Sequence, residues 1–511
     1  MFSEIRRLME QSRPVSAWKL WTEKTTVPNL ADPDALILSS RLAWQLGGRR
    51  RSAWWIRQGW NRFPNHADTR YYRALQVYER RGPYGCWEFL QAHTDTPDNE
   101  TADTRSSWLA LHGQAAAALR DFDQAETWYQ SAIDVNGLTP WLRVCRAFGY
   151  ECEDRYDDAM SMIDEALSEN SRFRPALQAK AHLLILRDEV DQAVDFMKNV
   201  IEQTELGVVA AHCCAVLMER RRFEEAPALL ARYRELSPLL EKPAASWIAS
   251  QEYELAYQRG DFSTAIEYAK RADSPYMKRI AERLSQPENL AQPRIQLDLP
   301  FVRQHHKTCV PATLSSIAKY WSMAVDHVQL ADEICYDGTT AYAERHWAAT
   351  SGWFTREFTV TSQATRELIE AGIPFTLTTV GAGNAHLQAV CGFDGRCGTI
   401  LIRDPFIPYV LEAQVDEFLK DQVSTGPRGM ALVPLAERER LESLELPDAE
   451  IWEVRHALDG HLESHRRSEA GETLDELMSR WPDHRLTLEA ERRVAYYDGN
   501  AHAQRQAVER L

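Results

Sequence analysis

Five alanines recur at nearly constant spacing between residues 125 and 265, each standing three positions after an aromatic or apolar residue. The pairs are Phe122 with Ala125, Tyr156 with Ala159, Val190 with Ala193, Phe223 with Ala226 and Phe262 with Ala265. The alanines lie 34, 34, 33 and 39 residues apart. Such a period holds two short helices and their turns, a unit that cannot bury its apolar face alone and must stack on its neighbours. The chain is thereby committed to an array of helix pairs over this stretch. Alanine is required where two helices approach closely, and the aromatic fills the gap toward the next unit. Gly113, Ala147, Ala181 and Cys214 take the small-residue position of the first helix. Tyr129 with Ala132, then Ile163 with Ala166, supply the second helix, and Pro238 closes a unit.

The pattern resembles the tetratricopeptide repeat. That resemblance implies a superhelix whose concave surface suits an extended peptide or a partner helix. Degenerate units precede residue 100: Ala53 and Trp87 are again 34 apart, and Tyr71, Tyr72, Leu75 and Tyr78 share one stripe. The repeats are expected over residues 1–285. Trp54, Trp55 and Trp60 could line a ligand groove, but packing between repeats is the favoured reading. Residues 286–296 are polar, carry Pro287 and Pro293, and read as a linker. Beyond residue 437 the signature returns in Ala470, Leu474, Pro482 and Ala503, so 437–511 reads as a further helical repeat segment. Leu511 falls partway through what the repeat makes a second helix; either that helix frays or the natural chain continues.

The intervening stretch, 297–436, carries the chemistry. Gln304-His305-His306-Lys307-Thr308-Cys309-Val310-Pro311-Ala312 follows Leu299 to Val302, which reads as a short strand. Thr308 is expected to cap a helix holding Cys309 in its first turn, with the stripe Leu314, Ile317, Ala318 and Trp321 facing a core. A cysteine there feels the positive end of the helix dipole, which favours thiolate. His386 opens an alternating strand; a Gly395–Gly398 turn then leads to a second strand ending in Asp404-Pro405. Adjacent strands can set His386 beside Asp404. Nucleophile, base and orienting carboxylate then stand in order, with Gln304 as oxyanion donor. Helices are expected at 325–334, 341–350 and 363–371, the last capped by Ser362 and ended by Gly372. Strands are expected at 354–360 and 375–380. Helices first and an antiparallel sheet after make this an α+β domain.

These residues resemble the double-glycine leader peptidases, of the bacteriocin-processing type, and their papain-like relatives. The matching positions are Gln304, Cys309-Val310-Pro311-Ala312, His386, Gly392-Phe393-Asp394 and Asp404-Pro405, within Leu297 to Val433, about a quarter of the chain. The resemblance implies a papain-like fold and peptide cleavage after small residues. Val310 stands where that family has glycine, so a narrower cleft beside the nucleophile is expected. Leader peptidases of this kind usually sit on ABC exporters, whereas this sequence shows neither a membrane-spanning run nor a nucleotide-binding motif. Gly381-Ala382-Gly383-Asn384 lacks the helix that a phosphate loop needs, and Asn384 receives no role.

Composition sets the remaining bounds. A net charge of −16 argues against unaided binding to nucleic acid or to an anionic membrane. Nine cysteines without a Cys-x-x-Cys pair indicate neither zinc nor a disulfide framework, and a reducing cytoplasm fits. Cys145, Cys152, Cys213, Cys214, Cys335 and Cys391 read as packing residues, and His305-His306 as exposed loop histidines without a third metal ligand. No cofactor or metal is expected. The whole reads as a cytoplasmic cysteine hydrolase acting on a peptide or protein recruited by the repeats. The rivals are an inactive repeat scaffold and an acyltransferase or deamidase using the same triad.

Overall fold

The computed structural model describes residues 2–24, 30–381, 384–422 and 426–511. Ala382 and Gly383 of the glycine-containing loop lie outside that set. The chain divides into two compact units, Met1–Met277 and Lys278–Leu511.

The first unit is all helix. Its regular part consists of the pairs Ala102–Ala118 with Phe122–Asn136, Pro140–Cys152 with Tyr156–Glu169, Arg174–Leu186 with Val190–Gln203, Gly207–Glu219 with Ala226–Leu236, and Lys242–Gln258 with Phe262–Ala272. In four of these pairs the aromatic or apolar residue of the repeat is the first residue of the second helix; Phe223 lies instead in the turn before Ala226. All five repeat alanines are buried. Gly113 shows why the small position matters, since a Cβ there would lie 2.6 Å from the Tyr129 ring. Each pair turns on a residue of positive φ, namely Arg120, Asp154, Asp188, Arg221 and Gly260, itself spaced as the alanines are.

Helices Phe2–Glu10, Pro14–Lys24, Pro33–Gln45 and Arg49–Arg62 extend the pairing to the N-terminus. The helical stretch Ala67–Gln91 breaks at Gly82, where φ is 71° just before Pro83, and so forms a pair of its own. Trp60 packs against Phe89 and His93 at 5.6 and 5.5 Å, whereas Trp54 stays exposed on the edge of Trp55. The array curls until its first turns meet its later ones. The Glu205 carboxylate accepts from the Ser16 N–H at 2.8 Å and Glu241 accepts from the Arg50 N–H at 2.8 Å, each capping a helix nearly 190 residues away.

The second unit holds a seven-stranded antiparallel sheet: β1 (Arg294–Gln296), β2 (Trp353–Thr359), β3 (Phe375–Val380), β4 (Ala385–Asp394), β5 (Thr399–Arg403), β6 (Val410–Gln414) and β7 (Arg428–Pro434). The strand order is β2-β7-β3-β4-β5-β6, and β1 pairs with the far end of β4. Helix Cys309–Tyr320 packs on one face over Leu387, Ala389, Met430 and Leu432; helix Ser362–Glu370 packs on the other over Phe358, Phe375 and Val433. Helices Ala449–Glu463, Arg467–Arg480, Arg485–Tyr497 and Ala501–Arg510 follow, and the left-handed residues His465 and Gly499 repeat the 34-residue turn spacing.

Several local expectations differ from the structure. Residues 286–296 are not bare linker: a single helical turn, Pro287–Leu290, precedes β1. Gly392 makes the β1 contact possible, because a Cβ there would lie 2.6 Å from the Ile295 carbonyl oxygen. Leu299 to Val302 forms no strand; Pro300 can donate to no ladder, and the stretch is held by single bonds such as the Ser316 hydroxyl to the Pro300 carbonyl at 2.6 Å. Thr361, not Ser362, caps its helix, accepting from Ala364 N–H at 3.1 Å. The helix expected from Val325 begins at His327, capped by Asp326.

Candidate active site

Cys309 is the first residue of its helix, so its own N–H has no intrahelical acceptor. The helix is pinned to β4 by the Thr313 hydroxyl, which donates to the Leu387 carbonyl at 3.2 Å. That bond sets the thiol beside His386, at the start of β4. His386 Nε2 lies 2.9 Å from Asp404 Oδ2, which leaves Nδ1 for the Cys309 thiol. Asp404 is buried and follows directly on β5; its other oxygen accepts from the Phe406 N–H at 2.6 Å, which fixes the carboxylate.

The electrostatics follow from these contacts. Burial disfavours the thiolate of Cys309. It is outweighed by the hydrogen bond from His386, by the Leu387 and Val310 backbone N–H groups and by the imidazolium charge, so the thiol titrates below its ordinary value. Burial likewise opposes charge on His386. The bonds to Asp404 and Cys309 prevail and raise it to about 9. Asp404 is also penalised by burial, yet held below the usual carboxylate range by His386 and the local N–H groups.

Gln304 is fixed by its backbone: its N–H donates to the Pro405 carbonyl at 2.9 Å, tying the loop before the nucleophile to the residue after Asp404. Its side-chain carbonyl oxygen is buried with no hydrogen-bond partner among the described residues. The structure therefore gathers Cys309, His386 and Asp404 at one corner, with His386 hydrogen-bonded to Asp404, and joins the Gln304 backbone to it.

Four expectations need correction here. Thr308 occupies the cap position, but its hydroxyl makes no cap bond; it accepts from the His305 N–H at 2.8 Å and lies 3.0 Å from His327 Nε2. His305 is half-buried, its ring edge-on to His327 at 4.7 Å. Val310 does not stand exposed beside the thiol. It is buried among Leu299, Leu314 and Leu330. Val310→Gly is accordingly expected to lower stability by about 2 kcal/mol or more, through lost burial and a residual cavity, without raising access to Cys309. Thermal unfolding beside the Cys309 alkylation rate checks this, and an unchanged midpoint with faster alkylation would reverse it. Cys335 is also not core: it is partly exposed and donates to the Lys307 carbonyl at 3.2 Å.

The Gly392-Phe393-Asp394 motif turns out to be scaffolding. Gly392 admits β1, Phe393 is buried in the core, and Asp394 pairs with Arg294 at 2.9 Å. Asp394, Cys397 and Glu412 come within metal-ligand reach of one another. Arg294 and the Cys397 N–H already occupy Asp394, and Glu412 accepts from the Thr399 hydroxyl. The group staples the β4–β5 turn. Sequence reading missed His327 and Arg294 because each acts across a gap with no local pattern.

Residues 296–419 match the Peptidase_C39 like family. The matched segment runs from the last residue of β1 through the Cys309 helix and past β6, and so includes His386 on β4 and Asp404 just after β5. Among solved structures, the peptidase domain of Streptococcus ComA, a bi-functional ABC transporter involved in quorum sensing, is 20% identical, with 27% of this chain and 98% of that chain covered and a TM-score of 0.23. Pseudomonas aeruginosa PilF is 13% identical, with 50% of this chain and 97% of that chain covered and a TM-score of 0.29. The pilus biogenesis factor PilW is 12% identical, with 42% and 94% covered and a TM-score of 0.31. No curated protein matches the chain. Assignment of the Peptidase_C39-like segment stands on the family match together with the geometry above. Among the described residues no helix is long and apolar enough to cross a membrane.

Proposed function

We propose that this protein is a cysteine hydrolase that cleaves peptide or amide bonds. Residues 297–436 hold the catalytic groups, and the helical repeats of residues 1–285 select the substrate. Cys309 attacks the carbonyl as a thiolate. His386 holds the thiol proton as imidazolium and passes it to the leaving amine; Asp404 keeps the ring oriented; Gln304 and the Cys309 N–H receive the oxyanion. Water, deprotonated by His386, then attacks the thioester and releases the acyl group. The observation that carries this reading is the His386–Asp404 hydrogen bond at the corner where Cys309 opens its helix, an arrangement that favours the ion pair a thiol nucleophile requires. The Gln304 N–H bond to the Pro405 carbonyl ties that residue's backbone to the corner that holds Asp404.

The test is hydrolysis of a pool of fluorogenic peptides with small residues at the cleaved position. The full chain is expected to cleave members of the pool, and Cys309→Ala to cleave none. Equal signals from both, or no cleavage together with no preferential labelling of Cys309 by a thiol probe, would sink the proposal.

A further inference from the structure

β2 is an edge of its sheet, and half of its outer side carries no partner. Alternate residues of an antiparallel strand turn their N–H and C=O toward the neighbour and away from it. The Val360 N–H donates to the Pro427 carbonyl at 2.9 Å, and the Leu435 N–H to the Gly352 carbonyl at 3.2 Å. Set against the β2–β7 register, those two bonds fix the phase. Phe354, Arg356 and Phe358 bond β7, and Trp353, Thr355, Glu357 and Thr359 turn their backbone groups outward. At the far end the outward position is taken, since the Thr359 N–H donates to the Pro447 carbonyl at 3.0 Å. Among the described residues nothing bonds the outward N–H and C=O of Trp353 and Thr355.

That open half is the floor of a cavity of about 600 Å³ along residues 353–356. Arg345 and Ala349 of helix Ala341–Thr350 stand on its walls, with Glu453 of helix Ala449–Glu463 and Glu442 of the short helix Arg438–Glu442. Proteins ordinarily blunt such edges with prolines, bulges or very short strands. β2 is seven residues long, unbroken in register and free of proline. The Trp353 and Thr355 side chains are buried, so the strand offers the cavity main-chain donors and acceptors two residues apart. A second extended chain presents its own at the same spacing.

The walls decide which chain. The ion network beside the cavity joins three carboxylates, Glu344, Glu357 and Glu453, to two guanidinium groups, Arg345 and Arg428. Of these five only the Glu453 side chain reaches water, at 52% exposure. Arg356 is turned away, donating to the Leu444 carbonyl at 2.7 Å, and Glu442 is matched by Arg438 at 2.7 Å. The unmatched charge facing the cavity is therefore negative, and a lysine or arginine complements it. Arg345 bridges Glu357 and Glu453, which puts Glu453 on the face toward which Trp353, Thr355 and Glu357 point. Residues directly opposite one another on paired strands share a face. The basic residues of an incoming strand are then the ones whose backbone bonds Trp353 and Thr355. A second copy of this chain is a poor occupant, because pairing β2 with itself would set both Ala449–Glu463 helices and both Glu453 carboxylates on one face of the joint.

We propose that the open half of β2 is a docking edge for an extended basic segment of a partner protein, which pairs its backbone with Trp353 and Thr355 and sets a lysine or arginine against Glu453. β7 and β3 stand between β2 and the His386 strand, roughly 14 Å at ordinary strand spacing. The docking edge is thus separate from the triad and holds whether or not Cys309 is a nucleophile.

The probe is a short fluorescein-labelled peptide alternating lysine and valine, titrated into the full chain and followed by anisotropy. Hydrogen exchange of the Trp353 and Thr355 amides locates it, and both should slow at least about fivefold on binding. Thr355→Pro removes one outward N–H and no β7 bond, at a place where an edge strand tolerates proline, and should weaken binding about tenfold. The peptide can be altered instead, which keeps the test independent of how that variant folds. Methylation of the lysine backbone nitrogens should cost about tenfold, and methylation of the valine nitrogens, which point away, less than about twofold. Glu453→Gln should weaken binding about threefold or more at low salt and remove most of the preference over a glutamate–valine peptide. Absence of binding, equal binding of the lysine and glutamate peptides, or equal effects of the two methylations would each overturn the proposal. So would a dimer in sedimentation that Thr355→Pro dissociates, which would make the edge a self-contact. A peptide displaced when Cys309 is alkylated would place it at the triad and also overturn the proposal, whereas docking that persists in Cys309→Ala supports it.

Discussion

In a His386→Ala variant, Cys309 is expected to alkylate as a half-buried thiol without a cation, its pH midpoint displaced upward past the ordinary value of ~8.5. In the parent the thiolate is supported by the imidazole, two backbone N–H groups and a helix start, against burial. Removing the imidazole deletes both its hydrogen bond and its charge while burial remains. Hydrolysis should fall by at least about 10²-fold, the lower end of what a positioned general acid and base contributes. Asp404→Asn should behave differently. It leaves the ring and the helix in place but loses the carboxylate that orients the imidazolium, so turnover should drop more than alkylation does. The pH dependence carries its own sign. His386 is raised to about 9 in the folded chain, so its contribution to stability is complete below ~6.5 and is lost as pH climbs through about 9. Asp404 is depressed, so its contribution is present above ~3.9 and is lost as pH falls through the lower folded value. The reactive ion pair therefore spans the interval from the lowered thiol titration up to about 9. A parent midpoint at the ordinary thiol value, insensitive to both substitutions, would leave Cys309 a packing residue.

Why the triad could be read from the sequence, and its surroundings could not, has a physical basis. Cys309, His386 and Asp404 each sit at an element boundary, where local chemistry announces itself: a helix start, a strand start, an Asp-Pro strand end. The repeats were legible for a similar reason, since close helix packing demands alanine or glycine at fixed intervals. The turns between their helices were not. Arg120, Asp154, Asp188 and Arg221 adopt the left-handed conformation that sequence reasoning reserves for glycine, and only Gly260 advertises it. Thr308 shows the limit most plainly. Its position before the helix predicts a cap, yet a histidine 19 residues away claims the hydroxyl. Val310 misled in the opposite direction: adjacency to the nucleophile in sequence says nothing about which side of a helix a side chain takes.

The least legible feature is also expected to be the most costly to disturb. Arg428 on β7 donates to Glu344 of helix Ala341–Thr350 and to Glu357 on β2, each at 2.6 Å, and all three are buried. Arg345 shares Glu357 at 2.8 Å and reaches Glu453 of helix Ala449–Glu463, so the network ties the sheet to the helices on either side of it in sequence. In a strand pattern these charges read as solvent-facing. Arg428→Met removes the cation between two carboxylates that remain buried, and breaking such a pair from one side costs about 3–5 kcal/mol. Two opposite pH dependences should follow. In the parent, Glu357 is penalised by burial yet held below the usual carboxylate range by Arg428 and Arg345, so acidification removes its contribution. In the variant both carboxylates lose Arg428, and Glu344, whose burial already raises it in the parent, should bind a proton more readily folded than unfolded. Stability of the variant relative to the parent should then rise as pH falls from 7 toward ~5. Urea unfolding of the full chain at the two pH values measures this, following the second unit through hydrogen exchange of the β2 and β7 backbone amides, which pair along Trp353–Thr359 and Arg428–Pro434. A deficit below about 1 kcal/mol at pH 7, or one that grows on acidification, would mean that the two glutamates are reached by water and that Arg428 is not the cation that keeps them buried.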